Sequence, residues 1–322
     1  MITLLRRLFG EAPRRQCSAS KPSIKPVLED LEKREVLNAA TVVNAAGAAT
    51  TFATYGSTLW EKHDYGLWKQ IAASGVTGPV SAGTDSYGNA MVVYKQQYGN
   101  TFSSFEFSDT TQRSYMLDSQ HAWQVSAGRN GYSIDLNNQG SVFLFHDKDF
   151  LYSSTGPWWG QWKVVVSSGV TQASIGTDAY NAPMVDVVWS GQGWQWTQTT
   201  GWGLLGSGVK KVSAGQWGVS EILYNNGSLY QYSQQSNQQS NMSNNVLDVQ
   251  AGTDDKGQAA ITTLTSDGKE WNYTTTHGWW NFATNGWGDQ GGLSNMDHGV
   301  MAEFFGSQLS QWNYSTWNWR TL

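Results

Sequence analysis

Apolar residues in this chain fall in short runs rich in Val, Ile, Tyr, Phe and Trp, separated by turns of Gly, Asn, Asp and Ser. One stretch shows the pattern plainly: Val219-Ser220-Glu221-Ile222-Leu223-Tyr224, then Asn225-Asn226-Gly227, then Ser228-Leu229-Tyr230-Gln231-Tyr232. Asn-Gly between two such runs predicts a β-hairpin, because both central positions of its turn need φ > 0. The plan recurs with Asn137-Asn138-Gln139-Gly140 before Val142, Ser190-Gly191-Gln192-Gly193 before Trp194, and Ser266-Asp267-Gly268 before Trp271. It recurs again with Tyr55-Gly56-Ser57 before Leu59 and Phe305-Gly306-Ser307 before Leu309. Runs that begin near Trp68, Trp123, Trp162 and Trp317 are expected to add a further strand after each hairpin.

A small-residue anchor precedes each hairpin. Val80-Ser81-Ala82-Gly83-Thr84-Asp85 returns as Val125-Ser126-Ala127-Gly128, Ala173-Ser174-Ile175-Gly176-Thr177-Asp178, Val212-Ser213-Ala214-Gly215 and Val249-Gln250-Ala251-Gly252-Thr253-Asp254. Looser echoes stand at Val43-Asn44-Ala45-Ala46 and Leu293-Ser294-Asn295-Met296. The steps between first residues are 37, 45, 48, 39, 37 and 44. One supersecondary unit is therefore copied along the chain. Four short antiparallel strands per roughly 40 residues is the size of a propeller blade. The anchor fits the innermost strand, where blades converge, and the large aromatics fit the outer strands, where blades diverge and must be filled. The expected fold is an all-β propeller of seven four-stranded blades, or six if the first and last units complete one blade between them. Residues 41–322 would form this single domain, behind a leader at residues 1–40.

The pattern Val-Ser-Ala-Gly-Thr-Asp-x-x-Gly, then Gly-x-Leu-x-x-Tyr, then Trp-x-x-Val resembles the tectonin and tachylectin class of β-propeller repeats. The resemblance implies a non-catalytic binding propeller, lectin-like, whose ligands are glycans or cell-surface polysaccharide, frequently bacterial. An envelope protein is the alternative partner, which would make the propeller a structural or interaction module. In the leader, Leu28-Glu29-Asp30-Leu31-Glu32-Lys33-Arg34-Glu35-Val36-Leu37-Asn38-Ala39 resembles the Leu-Glu-x-Leu-Glu-x-Arg-x-x-Leu segment near the N-termini of many planctomycete surface and secreted proteins. That resemblance implies a cell-envelope or extracellular location. The same residues also read as an ordinary amphipathic helix with Glu-to-Lys and Glu-to-Arg spacings.

Charge narrows the partners. Residues 1–40 carry eight Lys/Arg and five Asp/Glu, whereas the remainder carries twelve and twenty, a net of −8. An acidic body without a basic stripe is poorly suited to nucleic acid, whose phosphates need clustered Lys and Arg. Cys17 is the single cysteine, so no intrachain disulfide can form and packing must hold the fold. No apolar run reaches the length of a transmembrane helix, and a monomer is expected.

Candidate chemistry is sparse. The histidines His63, His121, His146, His277 and His298 lack recognisable metal-ligand spacing, and no paired-carboxylate or Gly-x-Ser-x-Gly motif occurs. No catalytic residue, metal or cofactor is nominated. The remaining enzymatic reading, a propeller glycosidase or lyase, would need carboxylates, a Tyr or a His to converge from different blades at the central channel. Asp85, Asp178 and Asp254 share one register after the anchor, which is the place for Asx-turn closure more than for calcium. The aromatic clusters at the entry to the last strand of each unit are the candidate ligand-binding surface: Trp158, Trp159, Trp202, Trp279, Trp280 and Trp317. A flat indole beside Asn, Gln and Ser is suited to stacking on a sugar, although one Trp per blade is also what packing would demand.

Overall fold

The structure is a computed structural model that describes residues 38–118, 121–149, 163–283, 293, 296–305 and 308–322. The predicted leader therefore lies outside the described residues up to position 37. Within them the chain folds into seven antiparallel sheets, six of four strands and one of three, arranged as a β-propeller. Strands in every sheet run in chain order from the axis outward, so each blade is one contiguous meander. The inner strands are Asn38–Val43, Val76–Thr84, Ala122–Ala127, Val170–Thr177, Val209–Ala214 and Val246–Thr253. Blade 7 is described from its second strand, Val300–Phe305, through Gln308–Asn313 to Asn318–Thr321, with Leu293 and Met296 buried where its inner strand belongs.

Three details differ from the sequence reading. Blade 1 is a complete sheet from Asn38 to Ala72, so the six-blade alternative fails. Its anchor copy begins at Ala39, because Asn44 occupies the turn position held elsewhere by Asp85: the Asn44 Oδ1 accepts N–H bonds from Ala46 and Ala48. Trp123 also lies on an inner strand. Blade 2 lengthens its central hairpin to nine and eight residues, and its outer strand is Arg113–Asp118.

The anchor acquires a residue-by-residue explanation. Its Val side chains (Val80, Val125, Val212 and Val249) are buried between blades. The serine hydroxyls reach the next blade: Ser81 Oγ accepts from Ala127 N at 2.9 Å, Ser174 Oγ from Ala214 N at 3.1 Å, and Ser213 Oγ from Ala251 N at 2.9 Å. The glycines mark a backbone collision. A Cβ on Gly83 would lie 1.8 Å from the Gly128 carbonyl oxygen, one on Gly176 1.8 Å from that of Gly215, and one on Gly252 2.1 Å from that of Met296. Next along, Thr84, Thr177 and Thr253 donate their N–H to those same three carbonyls. Asp85, Asp178 and Asp254 then close Asx turns, each accepting two backbone N–H bonds through Oδ1.

Among the described residues, the glycine and threonine contacts repeat only at alternate interfaces, from blade 2 to 3, 4 to 5 and 6 to 7. The odd blade in each pair replaces Thr-Asp by a tight turn, Asn130-Gly131, Trp217-Gly218 or His298-Gly299, with both residues at positive φ. The turn returns its N–H groups to the preceding threonine's carbonyl and hydroxyl oxygens. Blade 1 stands outside this pairing. Its Val43 N–H is bonded at 2.6 Å by Asp297 of blade 7, and Gln311 Nε2 donates to Thr51 Oγ1 at 3.1 Å.

Gly176→Ala should lower the unfolding free energy by about 3 kcal/mol or more, since backbone must shift to admit the methyl group. Gly191→Ala is the control: its Cβ would meet nothing within 4 Å, and it should cost about 1–2 kcal/mol for the left-handed conformation alone. Urea midpoints at unchanged slope give the comparison; equal losses would show that the close approach is not what fixes Gly176.

Candidate functional site

An axial channel runs through the ring, about 250 Å³ at one end and about 50 Å³ at the other. Its walls are the small anchor residues. At the wider end, glutamine side chains act as surrogate strands. Gln124 both donates to and accepts from the Ala173 backbone, Gln172 does the same with Val212, and Lys211 Nζ bonds Asp248 Oδ1 at 2.6 Å. At the narrow end Arg129 of blade 3 reaches across to pair with Asp297 of blade 7. Burial works against the Asp297 charge, but the His298 hydrogen bond, Arg129 and the Val43 N–H outweigh it and hold this carboxyl below the usual range. The channel polar groups are thus largely committed to bonds between blades.

Seven further carboxyls, one in each blade, are buried in the sheet stack: Glu61, Glu106, Asp135, Asp186, Glu221, Glu270 and Glu303. None lines the channel or the clefts described below. Burial pushes Glu106 up to about 8 despite the Ser133 hydroxyl donated to it from blade 3 at 2.6 Å. Burial, with the Asp118 charge added, takes Asp135 to about 8. Burial likewise takes Asp186 to about 7 against the polar Ser220 and Gln195, and Glu221 to about 8 against Gln231. Burial also raises Glu270, which shares a hydrogen bond with Glu303. Burial thus disfavours the charged form of Glu106, Asp135, Asp186 and Glu221, which lie wedged between blades rather than exposed as acid–base groups.

Two open clefts between blades are lined differently. The cleft between blades 7 and 1 holds about 630 Å³ and presents Trp60, Trp68 and Tyr55 opposite Leu309, Gln308 and Thr321. The cleft between blades 5 and 6 holds about 460 Å³ and presents Trp271 and Trp279 opposite Met242, Ser243 and Asn244. The two are structural equivalents. Trp60 pairs Ala53 and Trp271 pairs Thr263, and those partners in turn pair Ala39 and Val249 at the first anchor position. Within each cleft, one indole comes from the third strand and one from the outer strand or its entry. The alternation of strand side chains turns both indoles toward the preceding blade. All four are half-buried, and the Trp60 Nε1 donates to Thr58 Oγ1 at 2.7 Å. At the rim of the 5–6 cleft, hydrogen bonds from Lys269 and Thr265 hold the Asp267 carboxyl down to about 2, within an ion pair with Lys269.

The predicted tryptophans distribute over several environments. Trp158 and Trp159 lie outside the described residues. Trp279 lines the 5–6 cleft against Tyr273, with ring centres 5.2 Å apart. Its neighbour Trp280 points the opposite way, into the 6–7 interface, where its indole N–H is buried without an acceptor among the described residues. Trp317 is 49% exposed and joins Trp280 there at 5.8 Å, with Tyr314 and His277 in the same aromatic cluster. Trp202 is 40% exposed beside Trp196, at the blade 4 position equivalent to Trp279. Sequence reasoning puts Trp60, Trp68 and Trp271 on strands without marking them as cleft walls. A signal is present: only their spacing relative to the anchor, read across blades, reveals the shared position.

No protein-family model and no curated protein matches the chain. Among solved structures it is similar to the complex of Kap60 with yeast RCC1 (Prp20), at TM-score 0.50 and 10% identity over 74% of this chain and 70% of that one. It is also similar to a mutant Aleuria aurantia lectin in complex with Fucalpha1-6GlcNAc, at TM-score 0.48 and 11% identity over 80% of this chain and 97% of that one. At such identities the likeness concerns the fold. The seven sheets and their linings define the class, a seven-bladed β-propeller with aromatic clefts between blades.

The buried acids generate a pH dependence. In the unfolded chain they titrate near 4, in the fold near 7 for Asp186 and near 8 for Glu106, Asp135 and Glu221. Between those values the folded state keeps protons that the unfolded chain has released. Stability is thus greatest at the acid end and falls as pH rises from about 5 to about 8. Thermal melts should show a lower Tm at the upper pH, and Glu221→Gln should remove part of the slope. A Tm that is flat or rises across that range would contradict the preference of these carboxyls for the uncharged form.

Proposed function

We propose that this protein is a non-catalytic, lectin-like binding propeller whose clefts between blades take carbohydrate. The observation that carries the reading is the recurrence of one arrangement at two equivalent interfaces: two indoles of one blade facing the end of the preceding blade's outer strand. Indole faces stack on the apolar faces of pyranose rings, while the neighbouring Asn, Ser, Thr and Gln groups suit hydroxyl recognition. Half-burial fixes the rings in advance and lowers the entropy lost on binding. Two sites on one rigid ring also bind a repeating polysaccharide with an effective concentration that a single site lacks. The resemblance of the N-terminal segment to exported-protein leaders supports a cell-envelope or extracellular setting, where such polysaccharides are found.

A glycan array probed with the intact chain should show selective binding, without hydrolysis of the bound glycan. Trp60→Ala and Trp271→Ala should each weaken that binding about tenfold, consistent with the loss of one stacked ring, and the double variant should abolish it. Trp123→Ala, at an exposed indole outside both clefts, should leave it unchanged. An array at background, or equal effects from all three tryptophans, would overturn the reading in favour of a protein-interaction surface.

A further inference from the structure

Glu61 and His63 are two residues apart on the third strand of blade 1, Thr58–His63, and so project to the same side. Facing them across the interface is Asp109, at the turn that follows the third strand of blade 2. His63 Nε2 stands 3.5 Å from Glu61 Oε1 and 3.6 Å from Asp109 Oδ2. The Glu61 side chain is fully buried, yet among the described residues neither of its oxygens accepts a hydrogen bond. A buried carboxyl in that condition carries a desolvation cost that no donor offsets.

We propose that Glu61, His63 and Asp109 form a binding site for one divalent cation of the Zn²⁺ class, joining blade 1 to blade 2. The spacing fits. Tetrahedral Zn²⁺ with bonds of ~2.0–2.1 Å to nitrogen and oxygen separates its ligand atoms by about 3.3–3.4 Å. The two measured separations come within a few tenths of an ångström of that edge. The donor set of one imidazole and two carboxylates suits Zn²⁺ or Co²⁺ better than the all-oxygen preference of Ca²⁺ or Mg²⁺. The His63 ring is also held in a suitable orientation, since Thr50 Oγ1 lies 3.0 Å from Nδ1 and leaves Nε2 turned toward the carboxylates. The His63 side chain is half exposed, so a cation has a way in from solvent.

Lys69 is the competing cation, with Nζ 3.9 Å from Glu61 Oε2 and a hydrogen bond to Gln112. Its side chain is half exposed and free to withdraw. Its charge opposes the metal, so removing it should tighten binding rather than weaken it.

The test is titration of the untagged, chelator-treated full chain with Co²⁺, followed by the visible d–d absorption of tetrahedral cobalt and displaced by Zn²⁺. One saturable equivalent is expected. His63→Ala and Asp109→Asn, changes on two different blades, should each weaken it at least about tenfold, and Lys69→Ala should strengthen it. Zn²⁺ should raise the Tm of the parent chain and not that of His63→Ala; urea melts of each variant confirm that the fold persists. Absence of the tetrahedral band, or affinity unchanged in His63→Ala, would overturn the proposal and leave these groups an ordinary ion-pair network.

Discussion

The constraint behind this fold is the unpaired edge of every inner strand. Blades radiate from an axis, so neighbouring inner strands splay apart and cannot form a continuous ladder, yet their N–H and C=O groups are enclosed by the ring. The chain answers with side chains that imitate backbone. Serine hydroxyls of blades 2, 4 and 5 take N–H bonds from the following inner strand, and Gln124 and Gln172 supply paired amide bonds where a strand would have done so. Where two blades approach most closely, glycine lets one backbone bond another directly. The repeated Val-Ser-Ala-Gly-Thr-Asp is the record of these separate needs in consecutive positions.

That constraint also explains what can be read in advance. Hairpin signals and the anchor period are local, so the blade plan and its all-β character are legible in the sequence. Pairing of blades is not, although the letters are present: Thr-Asp follows the anchor in blades 2, 4 and 6 and is missing in 3, 5 and 7. The alternation becomes meaningful only when Thr84, Thr177 and Thr253 are seen bonding the turn of the next blade. The first anchor escapes a reading by letters because Ala39-Ala40-Thr41-Val42 retains the required sizes while losing the residue types.

The candidate binding surface is less legible for a related reason. A tryptophan's sequence neighbours tell which strand it occupies, not which interface it faces. Trp279 and Trp280 are adjacent in sequence but belong to different interfaces of blade 6. Trp60 and Trp271 lie far apart in sequence but hold one position in two blades. The buried acids are equally hidden. Glu106 and Asp186 look like ordinary strand residues until the adjoining blade covers them and Ser133 or Ser220 meets them.

Blade 1 closes on itself, and no strand is exchanged between the two ends of the described chain. The seam of the ring is therefore held by side chains: Asp297 on Val43, Gln311 on Thr51, Arg320 on Asp64, and a small apolar contact of Ala39, Ala53, Ala302 and Leu309. The larger aromatic cleft opens at this same seam, with Trp60 and Trp68 on one lip and Leu309 and Leu322 on the other. Whatever occupies it touches both the first blade and the last. A ligand bound there would act as a clasp, tying the ring's resistance to opening to a molecule that is no part of the chain.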